Sequence, residues 1–115
     1  MTEIREAGSI PHDVMEISAE QLDTLAGDVR RIDVREPSEF CGELSHLERA
    51  ELVPLAQIPT ACAAWDRKEP LLLICRSGRR SLDAARRLQA AGFERVMNLR
   101  GGMIAVRELE ARRRA

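Results

Sequence analysis

Cys75 is the residue best placed to do chemistry. It ends the apolar run Leu71-Leu72-Leu73-Ile74 and is followed directly by Arg76-Ser77-Gly78-Arg79-Arg80-Ser81. The run is apolar at every position, which suits a strand covered on both faces, as in a parallel sheet. A helix begins a few residues later, so the cysteine sits at the C-terminal tip of a strand, the edge where open α/β sheets bind ligands. Gly78 lets the turn visit positive φ, and the N–H groups of the turn and of the first helical residues then converge on one spot. Those donors, the positive helix end and the nearby guanidinium groups favour thiolate over thiol, lowering a cysteine pKa from about 8.5 to about 3.5–7.5 in such settings. Cys75 is expected to be an ionised nucleophile at neutral pH. A cysteine ending an apolar strand can also be a small buried hydrophobe, but a glycine and three arginines directly after it are a poor way to finish a core strand. Cys41 and Cys62 are expected to be such buried hydrophobes.

Around this cysteine, Arg76, Arg79 and Arg80 can hold an anion; which of them faces inward is not set by the sequence, and Arg80 or Arg76 inward with Arg79 outward is the expectation. Ser77 and Ser81 can each turn a hydroxyl toward the sulfur or simply cap the helix. Asp33 and Arg35 fall at the tip of a neighbouring strand, on the same sheet edge. There an ion pair from Arg35 to Glu39 or Glu36 would brace the corner, or Arg35 would meet substrate. Of the 18 Lys and Arg residues only Lys68 is not arginine, and guanidinium is the better fork for oxyanions. The net charge of −1 hides an asymmetry of −8 over residues 1–51 and +7 over residues 52–115.

The elements that must position these groups follow from periodicity. Strands are predicted around Val14–Ile17, Arg31–Val34, Ala50–Val53, Leu71–Ile74 and Val96–Leu99. Between the first two, a short helix is capped by Ser18 with Gln21, stapled by Ile17 and Leu22, and stopped at Gly27. Pro37 opens another short helix. Pro54 opens a longer one, whose apolar residues Leu55, Ile58, Cys62 and Trp65 recur at helical spacing. From Arg79 to Ala91, Leu82, Ala85, Leu88 and Ala91 line one face, Asp83 pairs with Arg87, and Gly92 is the stop. A terminal helix follows Gly102 and ends in Arg112-Arg113-Arg114, which are expected to fray in solvent rather than bind nucleic acid. Strands alternating with helices make an α/β layer fold.

Length and composition bound the rest. One domain fits in 115 residues. With 44% hydrophobic and 32% charged residues the chain is globular rather than disordered. The longest apolar run, Leu71 to Cys75, falls far short of the ~20 residues of a membrane helix. The N-terminus lacks the apolar stretch of a secretory signal, which reads as a cytoplasmic chain. Three widely spaced cysteines and two distant histidines suggest neither a disulfide framework nor a metal site. With 3% aromatic residues and no net positive charge, nucleic-acid binding is not indicated.

Three stretches in order, IDVREPSEF at 32–40, CRSGRRS at 75–81 and LRGGM at 99–103, resemble the rhodanese (sulfurtransferase) domain, over about residues 14–110. The resemblance implies a three-layer α/β fold with a central, mostly parallel five-stranded sheet. It leaves residues 1–13 as an N-terminal extension and 111–115 as a basic tail. It also implies that Cys75 takes the outer sulfur of a donor such as thiosulfate and passes it, as a persulfide, to cyanide, a thiol or a protein acceptor, with no cofactor, membrane or nucleic acid involved. By the same resemblance Asp33 lies near the active loop.

Two departures stand out. The family's Gly-His-Ile-Pro-Gly-Ala stretch is here Ser45-His46-Leu47-Glu48-Arg49-Ala50, which loses the prolyl turn and leaves His46 a hydrogen-bonded structural residue rather than a base. The tryptophan often found after the paired glycines is absent near Val106. Two other readings compete. One is a phosphatase or arsenate reductase of the same fold, but its signature places arginine six residues after the cysteine, where this chain has Ser81. The other is a non-catalytic module that binds a partner or carries sulfur.

Overall fold

The computed structural model describes residues 14–115, and the extension expected over residues 1–13 lies outside them. Five strands, β1 (Met15–Ile17), β2 (Arg30–Asp33), β3 (Glu51–Leu52), β4 (Leu71–Ile74) and β5 (Val96–Leu99), form one sheet in the order β1-β5-β4-β2-β3. Every pairing is parallel. The helices are α1 (Pro37–Phe40), α2 (Ile58–Ala61), α3 (Arg79–Ala90) and α4 (Gly102–Arg114), with short 3-10 segments between.

Why β4 takes the centre follows from its side chains. Successive strand residues point to opposite faces, and both faces are covered. Leu71, Leu73 and Cys75 join a cluster with Ala84, Ala85 and Leu88 of α3, while Leu72 and Ile74 join Met103, Val106 and Leu109 of α4. All four β4 residues are fully buried, and each such side chain contributes about 1.5–3 kcal/mol by leaving water. Because the alternation continues through position 75, the cysteine is delivered to the α3 side of the sheet.

Three expected elements differ. The first helix is a 3-10 turn over Ala19–Thr24, with the Gln21 side chain accepting from the Ser18 N–H at 2.8 Å. It stops before Gly27, because Leu25 turns to an extended backbone and packs into the α4-side cluster. The helix after Pro54 is broken into a 3-10 turn, α2 and a second 3-10 turn. Pro59 has no N–H to donate and its ring crowds the preceding turn. Finally, α4 ends at Arg114, as the expected terminal helix does, but its last turn does not fray into solvent. Arg113 reaches Asp23 at 3.4 Å and Arg112 reaches Glu20 at 3.8 Å, so the terminal cations face acids of the first 3-10 turn.

Candidate active site

The loop from Cys75 to Ser81 is closed by four hydrogen bonds. Gly78 adopts φ +98°, and its N–H donates to Cys75 Sγ at 3.0 Å. Ser81, in the first turn of α3 and fully buried, places Oγ 3.3 Å from the same sulfur. On the far side the N-terminus of α4 donates to the loop carbonyls, Met103 N to Cys75 O at 2.9 Å and Ile104 N to Arg76 O at 3.1 Å. With those carbonyls held outward by α4, the loop amides are left to face inward.

Burial pushes the Cys75 thiol up. The Ser81 hydroxyl and the N–H groups of Ser81, Gly78 and Ser77 outweigh it, so the thiol lies below its ordinary range. The residue is fully covered.

Only glycine fits at position 102, where α4 meets the loop. Its φ is +59°, and a Cβ there would lie 2.4 Å from Arg76 O and 2.5 Å from Cys75 O, both rigid main chain. A left-handed backbone costs a non-glycine residue about 1–2 kcal/mol, and overpacking adds about 1–3 kcal/mol. Gly102→Ala is expected to lose about 3 kcal/mol in urea unfolding, with the Cys75 loop displaced.

The arginines divide. Arg79 and Arg76 are exposed, and among the described residues neither forms an ion pair. Arg76 borders a cavity of about 160 Å³ shared with Arg35, Ser38, Glu39, Gly42, Glu43 and Leu44. Arg80 is spent on Glu39, with two parallel bonds of 2.8 Å. The Arg80 hydrogen bonds, against some desolvation and with help from the Glu36 N–H, hold the Glu39 carboxyl down from 4.5 to about 2.

Because the folded state favours the charged carboxylate, this bridge contributes fully above about pH 4.5 and fades as pH falls toward about 2. With 38% and 28% of the two side chains exposed, solvent screening limits it to about 1 kcal/mol. The Tm deficit of Glu39→Gln is expected near neutral pH and to shrink through that acid window.

Asp33 and Arg35 are both buried and paired to each other. Arg35 Nε and Nη2 reach the Asp33 carboxylate at 2.9 and 2.8 Å, while Nη1 and Nη2 donate to Glu39 O and Ser45 O at 3.2 and 2.6 Å. The expected pairing of Arg35 with a Glu36 or Glu39 carboxylate is not formed. Asp33 is two residues away on the same extended strand tip, and Glu39 turns to Arg80. Arg35 thus braces the β2–α1 corner instead of offering a free fork.

His46 stacks on Phe40 with ring centroids 3.7 Å apart and shares a 2.8 Å hydrogen bond between Nδ1 and Phe40 O. The prolyl turn is gone, but the corner keeps left-handed residues at Ser45 (φ +53°) and Arg49 (φ +64°). These are the two positions where the family pattern quoted above has glycine.

Sequence reasoning missed Asn98. It lies on β5, is fully buried, and its Oδ1 is 2.5 Å from Ser81 Oγ, while Nδ2 donates to Glu16 Oε2 at 2.8 Å and to Gly78 O at 3.1 Å. The available signal was one amide in an otherwise apolar strand, since buried polar groups need partners.

A parallel sheet whose C-terminal edge presents a cysteine inside a ring of amides defines an α/β domain of the cysteine-loop type. Residues 18–108 match the rhodanese-like domain, and the chain belongs to the rhodanese-like family. It is 35% identical over 95 residues to a sulfurtransferase of Allochromatium vinosum, covering 80% of this chain and 87% of that protein. It is 32% identical over 97 residues to the putative sulfur carrier protein YrkF of Bacillus subtilis, covering 84% of this chain but only 51% of YrkF. A rhodanese-like domain protein from Staphylococcus aureus superposes with a TM-score of 0.72 at 26% identity, over 81% of this chain and 91% of that one. The relatives place the chain in a sulfurtransferase and sulfur-carrier family. Among the described residues no helix is long and apolar enough to cross a membrane.

Proposed function

We propose that the chain is a sulfurtransferase that moves a sulfane sulfur from thiosulfate or a related donor to a thiophilic acceptor through a persulfide on Cys75. The observation that carries this reading is the convergence of the Gly78 N–H and the Ser81 hydroxyl on a sulfur whose proton is already loosened. The thiolate attacks the outer sulfur of the donor and a new S–S bond forms. The donor's own S–S bond breaks, and its electron pair leaves with sulfite. The terminal sulfur of the persulfide then carries the negative charge, where inward amides stabilise it. Cyanide or a thiolate attacks that outer sulfur and returns Cys75 as thiolate.

Arg76, beside the cavity that also touches α1, is the loop arginine assigned to the sulfonate end of the donor, because Arg80 is held by Glu39 and the exposed Arg79 does not border that cavity. Since Cys75 is fully covered, side chains over the loop have to move before a donor reaches its sulfur. The test is incubation with thiosulfate alone and then with cyanide. The reading expects a protein one sulfur atom heavier, with the adduct on Cys75, and then thiocyanate on repeated turnover. A protein of unchanged mass that forms no thiocyanate overturns it.

A further inference from the structure

Behind the sulfur a buried chain of polar groups runs from Cys75 through Ser81 and Asn98 to the exposed Glu16. Asn98 Nδ2 is bonded to Gly78 O and to the Glu16 carboxylate, both acceptors only. A flipped amide would set Oδ1 against them, so these two partners decide the orientation and Oδ1 must face Ser81. A carbonyl oxygen carries no proton, and its 2.5 Å approach to Ser81 Oγ therefore requires the serine hydroxyl hydrogen between them. Serine has one such hydrogen, and the sulfur 3.3 Å away is a second claimant.

We propose that Asn98 is a positioning residue for Cys75: its carbonyl oxygen competes with the sulfur for the single Ser81 hydroxyl proton, and so sets how readily the thiolate forms. While Cys75 is a thiol, the serine donates to Asn98 and its oxygen accepts the S–H. When the thiol proton leaves to solvent, the hydroxyl rotates to the sulfur and Asn98 loses its donor. If the charge moves out onto a persulfide's terminal sulfur, the inner sulfur releases the hydroxyl and Asn98 regains it. That last step rests on the function proposed above; the competition itself does not.

On the elements packed about the loop the other titratable groups are Arg76, Arg79 and Arg80 on the loop and the start of α3, with Asp83, Arg86 and Arg87 further along it, Arg100 against Gly78 at the end of β5, Arg107, Glu108, Glu110 and the terminal arginines on α4, Glu36 and Glu39 at α1, the Asp33–Arg35 pair at the β2 tip, and Glu16 on β1. Asn98→Leu changes none of these charges.

Thiolate absorbance in the ultraviolet, with the Cys75→Ser signal subtracted, reads the titration without any sulfur donor. Asn98→Leu frees the hydroxyl for the sulfur and is expected to lower the Cys75 midpoint by about one pH unit, the scale of one hydrogen bond to a charged group. Ser81→Ala is expected to raise it, and adding Asn98→Leu to Ser81→Ala is expected to change nothing further. An unchanged or raised midpoint in Asn98→Leu overturns the proposal, as does a fall that persists without Ser81.

Should Asn98→Leu not fold, Glu16→Gln on the exposed end of the chain weakens the polarisation of the amide. Loss of the Glu16 charge itself lowers the midpoint in either background, so a larger fall with Ser81 present than in the Ser81→Ala background is then expected, and no fall, or an equal one in both, overturns the proposal. Failure of sulfur transfer leaves this titration readable, so the two readings fail separately.

Discussion

Cys75→Ser is expected to abolish sulfur loading and to reduce thiocyanate formation by at least about a thousandfold, the scale of removing a covalent nucleophile. The change is close to isosteric in a fully buried site, so the fold should persist and circular dichroism should match the unchanged protein. What is lost is chemical. The donors at 3.0 and 3.3 Å stabilise a thiolate, but a serine hydroxyl in the same cradle stays protonated near neutral pH and is a poor nucleophile toward sulfur. The partial cysteine control is built into the chain, because Cys62, buried as expected, and Cys41, exposed at the end of α1 where a buried side chain was expected, both remain. Sulfur loading that survives in Cys75→Ser would move the chemistry to one of those thiols and end the present assignment.

Arg35→Met is expected to cost about 3–5 kcal/mol, the range for breaking a buried ion pair from one side. For a domain of this size that corresponds to a fall in Tm on the order of 15–20 °C. The Asp33 carboxylate, with no exposed surface, would keep only the Arg35 main-chain N–H at 3.1 Å, and the carbonyls of Glu39 and Ser45 would each lose a guanidinium donor. Adding Asp33→Asn removes the stranded charge, so the double variant should lose less than the sum of the single ones, by about 1–3 kcal/mol. Strict additivity in thermal unfolding would show that the two side chains do not act as a pair.

These two positions mark how far the residues alone could be read. An apolar run without alternation, followed by cysteine, arginine, serine, glycine and two arginines, was enough to place a central parallel strand, a loop and a helix, because each rests on local rules: both-face burial, a positive φ at Gly78, helical periodicity after it. The strand ladder from Arg30 to Leu99 and the boundaries of α3 agree with that reading within a residue or two. One place where the local pattern was misleading is Pro59, whose missing N–H separates the 3-10 turn at Leu55–Gln57 from α2 where one amphipathic helix was expected.

Partner choice among charged side chains was not legible. Arg35, Arg80, Asp33 and Glu39 were all in view, yet several pairings suit their spacing. Only the placement of α1 against the loop gives Glu39 to Arg80 and leaves Asp33 to Arg35. Asn98 is the extreme case. It lies 23 positions beyond Cys75 and 17 beyond Ser81, so its contact with the hydroxyl exists only because β5 lies beside β4 in the sheet. The chain's own order of residues therefore determined which cysteine ends the central strand and the elements that carry it, since those depend on neighbours along the backbone. Which groups surround the sulfur, and which of them compete for one proton, was decided by strand adjacency and helix docking, since hydrogen bonds act over a few ångströms whatever their separation in sequence.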